Sequence, residues 1–276
     1  GAKFIYANPL QVREGHVAGG NDGDYERRSW FHCACCPPNV MRTLASLEHY
    51  VVLSNAEEIR VHQYIPGRYT ATVGGGEATL SVTTEYPWEG QVCIVVDSAA
   101  GDEWGLGVRV PHWADSASAL VNGEAVTAEP HDGWLTVTRR WAAGDQFVLD
   151  LPLEVRFTYA DTRVDAARGS IALERGPLVY CLEAADNPGQ RLDDIVIDTA
   201  SAPVVERHAN LLGGVTTIRV QGLWRSRPNE SWWPYGSKAS RSPASPLPQT
   251  IALCAVPYFS WGNRGEGAMR VWTPAG

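Results

Sequence analysis

Three of the six cysteines fall within four positions, in the string Phe31-His32-Cys33-Ala34-Cys35-Cys36-Pro37-Pro38-Asn39. A thiolate is both a strong nucleophile and a soft metal ligand. Proline is tolerated in the first turn of a helix, where its missing N–H costs nothing. Adjacent cysteines followed by Pro37-Pro38 therefore predict two thiols held at a rigid helix entrance. Three readings of the cluster stand open: a catalytic thiol, half of a four-ligand structural zinc site, and inert buried cysteine.

The elements around the cluster follow from periodicity. Val40, Leu44, Leu47 and Val51 share one helical face, which predicts a helix running to about Tyr50. Before the cysteines, residues 3–6 read as a short strand and the run to Gly23 as a Gly/Asp-rich loop. From about Glu57 the apolar period changes to two, with Ile59, Val61 and Gln63 alternating against Arg60, His62 and Tyr64. Strands are predicted at 69–73, 78–85, 91–97, 105–110, 119–121, 134–139 and 146–151, then at 170–173, 178–183, 215–221, 250–256 and 269–272. Pro66-Gly67, Gly74-Gly75-Gly76, Asn122-Gly123, Asp132-Gly133 and Gly144-Asp145 separate them. Asn-Gly and Asp-Gly are hairpin marks. Many short strands at even spacing predict β-sandwiches, and no repeat of fixed period appears. Residues 225–248, rich in Ser, Pro and Arg and holding Trp232-Trp233, read as a long loop.

Composition narrows the function classes. The 276 residues carry a formal net charge of −8, which argues against a nucleic-acid backbone as partner. Arg27-Arg28 and Arg139-Arg140 read as isolated, solvated pairs. No apolar run approaches the ~20 residues that span a bilayer, so no membrane partner is expected. No signal peptide is visible, and the chain opens Gly1-Ala2-Lys3 without methionine, as a processed product or part of a longer chain would. Cys93, Cys181 and Cys254 stand singly inside predicted strands, which fits a reducing, cytoplasmic compartment better than a disulfide framework. Eleven tryptophans and ten tyrosines against five phenylalanines favour flat rings with a polar handle, the kind that stack on sugars or pack sandwich cores.

Other chemistries find less support. The histidines show no metal-binding spacing. Glu57-Glu58, Asp102-Glu103 and Asp193-Asp194 sit in polar loops or at strand ends and read as solvated surface. There is no nucleophile elbow for a serine hydrolase. Gly74-Gly75-Gly76 is followed by neither helix nor lysine, so it reads as a turn and not a phosphate loop.

Taken together, several strings resemble the bacterial β-L-arabinofuranosidase family, glycoside hydrolases with a zinc-bound cysteine nucleophile. They are Tyr6-Ala7-Asn8-Pro9-Leu10, the run from Trp30 to Asn39, Arg109-Val110-Pro111-His112-Trp113, Arg175-Gly176-Pro177-Leu178-Val179-Tyr180, Trp261-Gly262-Asn263-Arg264-Gly265 and Met269-Arg270-Val271-Trp272. The resemblance implies a mainly β chain: two consecutive β-sandwiches preceded by a strand and helix that complete an (α/α)6 barrel absent from this chain. The implied divisions are 1–52 for the end of the barrel, 53–158 for the first sandwich and 159–276 for the second. It also implies that Cys35 and Cys36 ligate Zn2+, that Cys35 is the nucleophile, and that an arabinose-containing glycan is the substrate. Tyr6 would line the sugar subsite or sit in the barrel core. Asn39 would orient the helix start, and Cys33 would be structural. The family's Glu-x-Cys ligand pair and its acid/base glutamate lie on the barrel, and no Glu-x-Cys occurs here. The isolated chain is thus expected to be inactive, with the amino-terminal barrel as a partner and a homodimer as a further expectation. The competing reading is a non-catalytic sandwich module for glycan binding or dimerisation, with a structural zinc and cysteine site.

Overall fold

The computed structural model describes residues 3–5, 7–15, 27–31, 33, 35–224, 248–265 and 267–276. The chain divides into two compact units, one formed by residues 35–154 and the other by 1–34 with 155–276.

The first unit opens with the helix Cys36–Ala45 and a 3-10 turn, Leu47–Tyr50. Ser46 interrupts the helix expected to reach Tyr50. Its hydroxyl donates to the Arg42 carbonyl at 2.9 Å, and its backbone leaves the helical region at φ −114°. Such local side-chain bonds compete with helix continuation. The apolar stripe is present but uncovered: Val40, Met41 and Leu44 are exposed, Leu44 to 64%, and only Pro37 is buried in the helix. Exposed contiguous apolar surface promotes association. Leu44→Lys is expected to leave the unfolding free energy within about 0.5 kcal/mol while reducing self-association. Light scattering alongside a urea titration would check both.

A sandwich follows. One sheet has four strands in the order Trp134–Arg139, Trp104–Arg109, Glu58–Val61, Val52–Ser54. The other has six: Gly67–Val73, Gly76–Thr84, Gln91–Ser98, Gln146–Asp150, Ser118–Val121, Glu124–Ala125. Alternate residues of each strand point into one core. Ile59, Val61, Trp104, Leu106 and Val108 enter it from the first sheet, and Leu80, Val82, Val92, Ile94, Phe147 and Leu149 from the second. Asn122-Gly123 and Asp132-Gly133 form tight hairpin turns with φ of 53° and 84°, and 49° and 80°. Both pairs take the positive φ values that type I′ turns require.

The Gly144-Asp145 turn is tied by its carboxylate. Asp145 accepts from the Ala142 N–H at 2.9 Å and from the Asn122 amide at 2.8 Å, which holds its pKa below the usual aspartate value. A depressed folded pKa stabilises above the unfolded pKa and is lost as pH falls through the folded one. Asp145→Asn is therefore expected to lower the unfolding free energy at pH 7 by about 1 kcal/mol for the weakened bonds, and the melting midpoint with it. The deficit should vanish in strong acid. Thermal melts from pH 7 down to pH 2 would show this.

The second unit is built on a ten-stranded, branched sheet. Its main path runs Gln11–Val12, Met269–Arg270, Leu178–Glu183, Gln249–Pro257, Val215–Trp224, Ile195–Ile197. Ser170–Arg175 joins Leu178–Glu183 and carries Val155–Tyr159 and Thr273–Pro274, while Val204–His208 pairs with Val215–Trp224. The inner strands Ser170–Arg175 and Leu178–Glu183 bury residues on both faces. Ile171, Leu173, Tyr180, Leu182 and Ala255 belong to one cluster, while Ala172, Cys181 and Val256, the residues between them, belong to another with Val12, Trp261 and Met269. Period two sends neighbours to opposite faces.

Two sequence expectations shift here. The strand expected at 3–6 is reduced to an isolated bridge between Phe4 and Arg28, and Gln11–Val12 is the strand that enters the sheet. Residues 155–158, expected in the first sandwich, belong to the strand Val155–Tyr159, which pairs with Ser170–Arg175, so the change of unit falls between Glu154 and Val155. Near the carboxyl end, Arg264 ion-pairs with Glu183 and with Asp186, and Glu183 accepts from the Gly262 N–H at 3.0 Å. This network pins the Trp261–Gly265 string to the sheet.

Candidate active site

The site is built from the first turn of the helix Cys36–Ala45. Cys35 is its N-cap residue, and Pro37 and Pro38 follow Cys36 inside the first turn. A helix start ordinarily leaves four N–H groups without partners. Here the two prolines remove two of those donors, and no side chain caps the helix. The thiols are thus not occupied as caps.

Cys35 and Cys36 are exposed and not in a disulfide, with their sulfurs 3.8 Å apart. The Asn39 amide donates to the Cys35 carbonyl at 3.1 Å. That carbonyl belongs to the peptide joining the two cysteines, so the bond fixes the plane from which both side chains leave. The Thr43 hydroxyl donates to the Asn39 carbonyl at 3.0 Å one turn on. Asn39 orients the helix start, as its position predicts.

The sulfur spacing can be tested against a metal. Two thiolates each about 2.3 Å from one tetrahedral zinc ion lie about 3.8 Å apart. The pair therefore fits two corners of a zinc site without side-chain movement. Among the described residues, no group of three or more His, Cys, Asp and Glu is placed to hold an ion. Cys33 is exposed and joins no such group. Tyr6, the residue expected at the sugar subsite, and His32 lie outside the described residues, as do Glu26, His16 and Trp232-Trp233.

Two readings of charged residues change. Arg27, expected as one of a solvated pair, donates to the Trp261 carbonyl at 2.6 Å and to the Phe259 carbonyl at 2.8 Å. Burial pushes its pKa down. Together with the Phe4–Arg28 bridge and the buried ring of Phe31, this fastens the segment that runs into the cysteine motif to its own unit. The sequence carries no local signal for it, because both acceptors are backbone carbonyls more than two hundred residues away. Asp193-Asp194 is likewise no solvated pair. Asp193 accepts from Gln11 at 2.9 Å and pairs with Arg270 at 3.1 Å, and Asp194 is buried. Both brace the sheet and neither approaches a reacting group among the described residues. Among the described residues His131 lies 3.4 Å from Asp132 and His208 lies 3.4 Å from Glu206.

Among the described residues no helix is long and apolar enough to cross a membrane. Residues 58–153 match the description "Beta-L-arabinofuranosidase, GH127 middle domain", and residues 155–274 match "Glycoside hydrolase family 127 C-terminal domain". The non-reducing end β-L-arabinofuranosidase of Bifidobacterium longum subsp. longum is 36% identical over 286 aligned positions, covering 99% of this chain and 42% of that protein. A crystal structure of a GH127 β-L-arabinofuranosidase from Geobacillus stearothermophilus T6 superposes with a TM-score of 0.87 at 34% identity, over 99% of this chain and 43% of that one. A second solved GH127 β-arabinofuranosidase gives 0.86 at 27% identity, over 100% and 42%. The chain thus spans about two-fifths of the length of these relatives. Its two sandwich units, the cysteine-headed helix before them and the matches along nearly the whole chain place it in the β-L-arabinofuranosidase family, glycoside hydrolase family 127.

Proposed function

We propose that this chain supplies the nucleophile of a retaining glycoside hydrolase that releases L-arabinose from β-L-arabinofuranosides. The observation that carries the reading is the exposed Cys35–Cys36 pair, its sulfurs 3.8 Å apart at a helix N-terminus. Cys35 and Cys36 hold a zinc ion together with ligands from outside the described residues. Zinc bound there supplies positive charge that keeps the sulfurs deprotonated at neutral pH.

The Cys35 thiolate attacks the anomeric carbon, a carbon–sulfur bond forms, and the glycosidic carbon–oxygen bond breaks. The departing oxygen takes a proton from a general acid that the described residues do not supply. Water then gives a proton to the group that acted as acid, now a base, attacks the same carbon from the opposite face and returns the electron pair of the carbon–sulfur bond to sulfur. Two inversions give net retention, the logic of a carboxylate glycosidase with sulfur in the nucleophile's place. Asn39, by fixing the peptide between the cysteines, holds the attacking sulfur in position.

The test joins this chain to the amino-terminal part of the Bifidobacterium longum relative. The chimera is expected to bind about one zinc per chain and to hydrolyse p-nitrophenyl β-L-arabinofuranoside with retention, while this chain alone shows no turnover. A zinc-loaded, folded chimera that leaves arabinofuranosides intact would overturn the substrate assignment.

A further inference from the structure

The outer face of the four-stranded sheet carries a feature that the thiol chemistry does not use. Trp104, Leu106 and Val108 point into the sandwich core, so Gly105 and Gly107 between them lie on the opposite face. Gly107 stands between Arg60 and Thr136 in register, and Gly105 between Glu58 and Thr138. A Cβ at Gly107 would come within 3.2 Å of both the Arg60 and the Thr136 side chains, and 3.7 Å of the Trp134 ring. The glycine row lets these three side chains close in from the two neighbouring strands.

They border an open cavity of about 400 Å³ lined by Arg60, Glu129, His131, Asp132, Trp134 and Thr136. Small-ligand sites run from roughly 300 to 1,000 Å³. The lining is braced. The Arg60 guanidinium lies 4.9 Å from the centre of the Trp134 ring, and its Nε is 2.8 Å from the Glu58 carboxylate. His62 packs edge-on against the same indole at 4.6 Å. The rim is the hairpin turn itself: His131 and Trp134 exchange backbone bonds of 2.8 and 2.9 Å across Asp132-Gly133. Among the described residues no side chain pairs with the terminal amino groups of Arg60 or with the Glu129 carboxylate.

The chemistry of the lining selects a class of ligand. Guanidinium and carboxylate are planar groups that donate or accept hydrogen bonds in pairs, the pattern that neighbouring sugar hydroxyls match. Indole and hydroxyl groups add an apolar edge and further hydrogen bonding. An anion would meet Glu129 and Asp132, and a cation would meet Arg60. A neutral polyhydroxylated ring meets partners of both kinds and repulsion from neither.

We propose that this cavity is a carbohydrate subsite, in which Arg60, Glu129, Asp132, Trp134 and Thr136 hold one neutral sugar unit of a glycan. That the sugar is arabinofuranose rests on the proposed function above; the preference for a neutral polyol rests on the cavity alone.

The experiment titrates this chain with methyl β-L-arabinofuranoside and reads binding by saturation-transfer NMR. Variants are Glu129→Gln/Asp132→Asn, Trp134→Ala, and Cys35→Ala/Cys36→Ala. Binding is expected in the parent chain and in the cysteine variant, with affinity reduced about tenfold or more in the carboxylate variant. Glu129 and Asp132 are exposed, so that variant keeps its fold even where Trp134→Ala does not. Absence of binding to the parent chain, binding untouched by the carboxylate changes, or binding lost with the thiols would each overturn the subsite. A chimera that hydrolyses arabinofuranosides while this chain binds no sugar removes the subsite and leaves the proposed function standing. Sugar binding by this chain with no hydrolysis by the chimera does the reverse.

Discussion

Cys35→Ala is expected to abolish arabinofuranoside hydrolysis by the chimera, with turnover falling about 10⁴-fold or more. Removing the nucleophile from an enzyme that works through a covalent intermediate deletes the whole pathway, and losses of that size are typical. Cys35 is exposed, its side chain makes no cap bond, and Asn39 bonds to its backbone carbonyl and not to its sulfur. Alanine at this N-cap position keeps the backbone bond that orients the helix start. Cys36→Ala is expected to differ in kind. Both changes remove a zinc ligand, so zinc content should fall in each, but only Cys36→Ala leaves the attacking sulfur in place, so added zinc should restore part of the rate in that variant alone. Measuring zinc and turnover on both variants separates the roles. Equal residual activity in the two would place the attack elsewhere.

Trp104→Ala is expected to cost about 3–5 kcal/mol, a large share of the stability of a domain of this size. Trp104 is fully buried at 0% exposure, among the largest side chains of its core. It also holds its partner. The Trp141 indole donates to the Trp104 carbonyl at 3.1 Å, the two rings lie 5.6 Å apart, and Arg139 stacks on Trp141 at 5.3 Å. Deleting one ring leaves a cavity beside the other. Trp104→Phe should keep most of the stability, because the Trp104 N–H has no acceptor to lose. Denaturant titration followed by hydrogen exchange should localise the loss to residues 35–154. The 155–276 region carries its own buried clusters and should stay protected. A loss below about 1 kcal/mol would mean that the site relaxes around the deletion.

How far the sequence reveals these features depends on how local their causes are. The Asn122-Gly123 and Asp132-Gly133 hairpins are set by two residues each, and both are legible in those residues alone. So is the thiol pair, because neighbours in sequence at a helix start must be neighbours in space. The short strands Gln11–Val12, Ile195–Ile197 and Val204–His208 escape the pattern. The first two are shorter than any useful window, and the third exposes Val204 and Val205 at the sheet's margin. Sheet order is farther from reach. Gln11 pairs opposite Arg270, and Arg60 meets Trp134 only because Gly107 lies between their strands. The Arg27 clamp is hidden for the same reason, since its acceptors are carbonyls of a distant turn. The helix expected to reach Tyr50 stops at Ala45, where the Ser46 backbone leaves the helical region at φ −114°.

The thiolate assignment meets its most direct test in rapid-quench peptide mass spectrometry of the chimera, using an arabinofuranoside whose leaving group departs quickly. The peptide that contains Cys35 is expected to carry the mass of one pentosyl group during turnover and to lose it as substrate runs out. A pentosyl group found on a carboxylate, or turnover with the Cys35 peptide unmodified at every time point, would contradict the account.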